Sequence, residues 1–153
     1  MSEPKKKKNV FVEGAIGSEF IAKSIASHGS KTDIGAHSIF LGQVRADELN
    51  NSTVQAIEYT CYQEMAEPIL HTIREDCFAK FDLSCMHIYH SLGIVNAGQV
   101  CLFVFTSSKH RTNAQEACSY LVERIKKEVP IWGKEILEDE NEHWKINTNK
   151  TND

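Results

Sequence analysis

The chain of 153 residues is predicted to be one α+β domain with antiparallel strand pairing, on three observations. Short β-branched or alternating runs recur between glycine-marked turns, and longer stretches carry apolar residues at helical spacing instead. Two adjacent runs, 84–92 and 99–107, read as a hairpin joined by Gly93 to Gly98. At 41% hydrophobic and 25% charged residues, the chain can bury one core and is short for two full domains. The domain is expected to span 9–147, between a basic tail at 1–8 and a polar tail at 148–153.

Each element has its own warrant. Residues 9–12 form a short first strand, broken by Gly14 and Gly17; from Ser18 the positions Phe20, Ile21, Ile25 and Ala26 keep helical spacing up to His28-Gly29-Ser30. Residues 35–45 read as a strand, and 53–59 as a second that pairs with it across the polar loop 46–52. Tyr62, Met65, Ala66, Ile69, Ile73 and Cys77 trace a helical stripe, in which Pro68 calls for a late start or a bend. After the hairpin, Thr112-x-x-Gln115 has the form of a capping box. Ala114, Ala117, Cys118, Leu121, Val122, Ile125 and Val129 then form the buried stripe of the longest helix, which Pro130 ends. An acidic loop, Glu138 to Glu142, leads to a last strand at 143–146.

Charge and composition exclude several functions. A net charge of −4 and a pI near 6.0 argue against a general nucleic-acid binder, and no apolar run approaches the roughly 20 residues needed to span a bilayer. Five cysteines, odd in number and without C-x-x-C, fit reduced thiols in the cytoplasm. The basic run Lys5 to Lys8 leads into no signal-peptide apolar region. His87-x-x-His90 resembles a metal pair, but an odd separation on a strand sends the rings to opposite faces, so no metal site is expected. There is no Walker loop, nucleotide fingerprint or nucleophile elbow.

What remains is a set of cations at element ends. Arg45 closes a strand beside a loop, where it is either a binding group or a solvated edge residue. Lys109, His110 and Arg111 precede a helix N-terminus; they either splay into water or hold an anion that the free N–H groups also favour. Lys127 has Glu123 one turn before it and is explained as a surface ion pair, whereas Lys126 lies nearer the buried stripe and is the better pocket candidate. If Arg45, His110, Arg111, Lys126 and Lys134 converge, they make a cationic pocket for a phosphate-bearing ligand.

These segments resemble a known family. Phe40-Leu41-Gly42-Gln43-Val44-Arg45, Ile57-Glu58-Tyr59 with Tyr62-x-x-Met65-Ala66, His90-x-x-Gly93, Ser108-x-His110-Arg111, and Lys126-x-x-Val129-Pro130-Ile131-Trp132-x-Lys134-Glu135 with Trp144 are similar, in order, to the large subunits of molybdopterin synthase. The resemblance implies a hammerhead-type antiparallel sheet with packed helices and a small α+β subdomain. It also implies a sulfurtransferase of molybdenum cofactor biosynthesis that carries no cofactor of its own. Its substrate would be cyclic pyranopterin monophosphate. Its sulfur donor would be a small ubiquitin-like carrier with a C-terminal Gly-Gly thiocarboxylate, and the assembly a homodimer within a heterotetramer.

Matched by motif, the implied substrate contacts are Gln43, Val44, Arg45, His110, Arg111, Lys126, Gly133, Lys134 and Glu135, with Lys126 catalytic. Two positions depart from the family pattern: Gly133 stands where a lysine is usual, and Ser91 where an arginine is usual. A non-catalytic subunit of the same fold, recognising a Gly-Gly tail or an anionic metabolite, is the competing expectation.

Overall fold

The computed structural model describes residues 10–138 and the backbone of 144–146. The tails expected at 1–8 and 148–153, most of the acidic loop and the Trp144 side chain lie outside these residues. The elements are β1 (Phe11–Glu13), α1 (Ser18–Ala26), β2 (Ala36–Gln43), β3 (Glu48–Leu49), β4 (Ser52–Cys61), α2 (Gln63–Lys80), β5 (Cys85–Asn96), β6 (Val100–Ser108), α3 (Arg111–Glu128), β7 (Ile131–Leu137) and β8 (Trp144–Ile146). One sheet runs β2-β6-β5-β4-β7-β8, with β3 paired to β4 and β1 added parallel to β5. The other pairings are antiparallel, as the sequence predicts.

Strand alternation sorts the core onto the two faces of β5 and β6. Met86, Ile88, Leu102 and Val104 face α2 and α3, which contribute Leu70, Ile73, Cys77, Leu121, Val122 and Ile125. Phe103 and Phe105 point the other way and pack with Ile16, Ile21 and Tyr89. With both faces covered, the run from Cys101 to Ser108 is buried throughout. A polar anchor joins the layers, as the Thr106 hydroxyl donates to the Ala114 carbonyl of α3 at 2.7 Å.

Several local expectations are corrected. Strand 35–45 does not pair with 53–59; β2 pairs with β6, while β4 lies between β5 and β7. A tight hairpin at Asn50 and Asn51, both at positive φ, turns β3 onto β4 and leaves β2 free to cross to β6. The link 93–98 is largely strand, because β5 continues to Asn96 and moves its pairing from β6 to β4 at Gly93, φ 84°. The capping box does not form: α3 starts at Arg111 with His110 as its N-cap, so Thr112 is already helical. Pro68, exposed in the second turn of α2, neither delays nor ends that helix. The stretch after Pro130 is a strand, β7, paired on both sides by β4 and β8.

Candidate active site

The cleft opens where α3 stops. Pro130 has no N–H to extend the helix, Val129 turns to extended geometry with its own N–H on the Ile125 carbonyl at 3.1 Å, and the chain enters β7. That turn leaves Ile125, Lys126 and Val129 along one wall of a cleft of about 310 Å³. The end of β2 and the loop after it bring Gly42, Gln43, Val44, Arg45 and Asp47 to a second wall. Ile57 and Tyr59 of β4, His90 of β5, and Cys101 of β6 form the floor, and Gly133 and Glu135 of β7 close the side.

Of the residues selected from sequence, Gln43, Val44, Arg45, Lys126, Gly133 and Glu135 therefore share one cleft. Lys134 does not line it, since alternation along β7 turns the side chain away from its neighbours Gly133 and Glu135. His110 and Arg111 lie at the opposite end of α3, about 22 Å from Lys126 at 1.5 Å rise per residue. The five-cation convergence is thus not made within one chain. Lys127 lies outside the cleft and pairs with Glu123 at 3.7 Å, the surface role expected of it.

Asp47, Tyr59, His90 and Cys101 belong to the cleft without having been selected from sequence. Tyr59 and His90 stand in the family-like motifs, yet their convergence depends on β4 and β5 being neighbours. The His90 ring packs edge-on against Tyr59 with centroids 5.1 Å apart, and its Nδ1 bonds the Ser91 carbonyl at 2.8 Å. Tyr59 donates to the Cys101 sulfur at 3.4 Å, and that thiol donates to the Gly42 carbonyl at 3.4 Å. Burial pushes the Tyr59 phenol well above its ordinary value, so it remains a donor at every working pH.

Burial also raises the Cys101 thiol, against the opposing pull of the Tyr59 hydrogen bond and the Lys126 charge. A thiol held protonated is a poor nucleophile, so the cleft contains no activated sulfur of its own. Arg45 rests on Asp47 at 3.3 Å with both side chains largely exposed. Such a pair is weak, and a phosphate group offers the guanidinium a stronger bidentate partner.

At Gly133 a Cβ would lie 2.7 Å from the Ile57 Cγ2 atom, so Ile57 occupies the space of the side chain usual at that position. Trp132, on the other face of β7, is 42% exposed.

The chain matches the family model described as "MoaE protein" over residues 17–128. It is 36% identical over 115 residues to the molybdopterin synthase catalytic subunit of Pyrococcus abyssi, covering 75% of this chain and 76% of that protein. With the catalytic subunit of Bacillus subtilis the identity is 37% over 129 residues, covering 84% and 78%. Among solved structures, molybdopterin synthase from Staphylococcus aureus superposes with a TM-score of 0.77 at 29% identity, over 91% of this chain and 96% of that one. A complex of subunits 1 and 2 of molybdopterin-converting factor from Helicobacter pylori shares the fold, with a TM-score of 0.75 at 22% identity over 90% and 88%. With its cleft built from the same segments that carry the sequence likeness, the chain belongs to the MoaE family of molybdopterin synthase catalytic subunits.

Proposed function

We propose that this chain transfers sulfur from the C-terminal thiocarboxylate of a small ubiquitin-like carrier to cyclic pyranopterin monophosphate, building the dithiolene of molybdopterin. The carrying observation is the cleft that joins Lys126 and Arg45 beside a thiol held in its protonated form. Arg45 holds the phosphate. Lys126 neutralises the charge that develops as the carbonyl–sulfur bond of the carrier is attacked or as the cyclic phosphate opens. Burial disfavours the Cys101 thiolate, which is consistent with sulfur arriving with the carrier. The free state of all five cysteines supports a cytoplasmic setting, and no helix of the described residues is long and apolar enough to cross a membrane.

A homodimer completes this reading. His110 and Arg111 can serve the same phosphate only if a second copy supplies them, since α3 holds them far from its own Lys126. β2 is an edge strand with exposed Ile39 and Leu41, and its first residues lie beside Lys109 while its last ones enter the cleft. A second copy apposed antiparallel along β2 brings its His110 and Arg111 towards Arg45 of the first.

The test is reconstitution. The full chain, mixed with thiocarboxylated carrier and cyclic pyranopterin monophosphate, is expected to form molybdopterin, read by mass spectrometry. Carrier binding without product would instead identify a non-catalytic subunit.

A further inference from the structure

On the face of β5 opposite the cleft lies a second cluster of donors with no part in the proposed sulfur transfer. Cys85 and His87, two residues apart on β5, point to the side where α1 packs, and His28 reaches them from just beyond the end of α1. One ligand atom from each of the three residues lies within 4.8 Å of the others. His28 and Cys85 are buried, at 6% and 9% exposure.

The hydrogen bonding of His28 settles its tautomer. Its Nδ1 lies 2.7 Å from the Ser24 carbonyl, which can only accept, so Nδ1 carries the proton and, in the neutral ring, Nε2 presents a lone pair. That lone pair faces His87 Nε2 at 3.1 Å, close to the roughly 3.3 Å between two nitrogens on one tetrahedral zinc ion. A ligating histidine whose other nitrogen is fixed by a backbone carbonyl is the usual arrangement at metal sites. The separation of 59 residues between the two histidines hides this pairing from any spacing motif.

We propose that His28, Cys85 and His87 bind one soft divalent cation of the zinc class, with solvent in the fourth position. On binding, Cys85 releases its thiol proton to solvent and His87 shifts its proton to Nδ1, so that one thiolate and two imidazole nitrogens face the ion. This donor set suits zinc and disfavours magnesium or calcium. The ion acts as a staple. None of the residues of α1 is buried, and the helix rests on the sheet through contacts such as Phe20 edge-on to Tyr89, centroids 4.8 Å apart. Fixing His28 to β5 would pin the end of that helix.

Untagged full chain, stripped by a chelator, is titrated with Co²⁺ alone. One equivalent is expected to bind, giving a thiolate-to-cobalt charge-transfer band and the visible bands of a tetrahedral ion, all abolished by Zn²⁺. Cys85→Ser should remove the charge-transfer band and Cys61→Ser should retain it. His28→Gln and His87→Gln should each weaken Zn²⁺ binding by more than the roughly 100-fold that loss of an outer-shell partner costs. A cobalt-saturated wild type without the charge-transfer band, or a band that persists in Cys85→Ser, overturns the site. Should a variant misfold, X-ray absorption of the zinc-loaded wild type decides: one sulfur and two imidazoles support the assignment, and all-nitrogen or oxygen coordination defeats it.

Discussion

The two ends of α3 carry cations of similar appearance in sequence and different surroundings in space. At the C-terminal end, Lys126 is exposed but lines a cleft whose other walls come from the end of β2, from β4 and from β7, with a buried thiol nearby. At the N-terminal end, Lys109, His110 and Arg111 are exposed, and the N-cap His110 makes no side-chain cap bond to the helix. One helix of 18 residues keeps the two groups apart. A rigid element can therefore forbid within one chain a convergence that the motifs invite, and under the proposed function a second copy would have to supply His110 and Arg111.

The largest expected effect tests that contrast directly. Lys126→Ala should lower turnover by about 10²–10³-fold, the scale of losing one preorganised electrostatic partner, with circular dichroism unchanged. His110→Ala/Arg111→Ala should cause a comparable loss from the far end of the helix. If the two ends meet across a dimer, mixing the two inactive variants under exchange conditions should restore about a quarter of wild-type activity, because half of the dimers are hybrids with one intact site of two. Absence of recovery, with exchange verified by mass spectrometry, would remove the second copy's His110 and Arg111 from the site.

This contrast also marks how far the sequence could be read. The three helices follow from apolar stripes and their ends, because those signals are local: Pro130 stops α3 where it should. Which strands become neighbours is decided by contacts distant in sequence. β2 therefore finds β6, and no property of residues 35–45 announces it. β7 escapes detection because Gly133, Lys134 and Glu135 interrupt its apolar residues, while the pairing with β4 and β8 that holds it is again non-local.

The site divides in the same way. Lys126 and Arg45 can be found at the ends of elements, whereas Tyr59, His90 and Cys101 join the cleft only through the order β6-β5-β4. The pair His87 and His90 is a further case. Alternation correctly parts the two rings, yet His87 meets His28 from another element, and that partner is invisible to the period of a strand.

A smaller effect is expected at β7, where Gly133 departs from the family pattern. Gly133→Lys alone should cost about 1–3 kcal/mol in urea unfolding, because the new Cβ forces Ile57 from its place. Ile57→Ala in the same chain removes the colliding methyl, so the double variant should be more stable than the sum of the single changes predicts. It should also turn over faster than Ile57→Ala, since it places a second lysine beside Lys126. Additive stabilities would show that the backbone of β7, and not Ile57, governs this position. Unchanged turnover would show that one lysine suffices.

The smallest effect belongs to the surface that joins α2 to the last turn of α3, outside the cleft. Arg124 bonds Asp76 of α2 at 2.9 Å, stacks its guanidinium 5.4 Å from the Tyr120 ring centre and forks onto Glu128. The guanidinium holds the Glu128 carboxyl below the usual range. A carboxylate with a depressed folded pKa contributes stability that is complete above its unfolded value, about 4.3, and is lost as pH falls through the folded value. Arg124→Met should therefore lower stability by less than about 1 kcal/mol at neutral pH, as befits a largely solvated network. The gap between variant and wild type should narrow as urea unfolding is repeated below pH 4. A gap that stays constant into acid would assign the role of Arg124 to its packing on Tyr120, leaving the ion pairs without energetic weight.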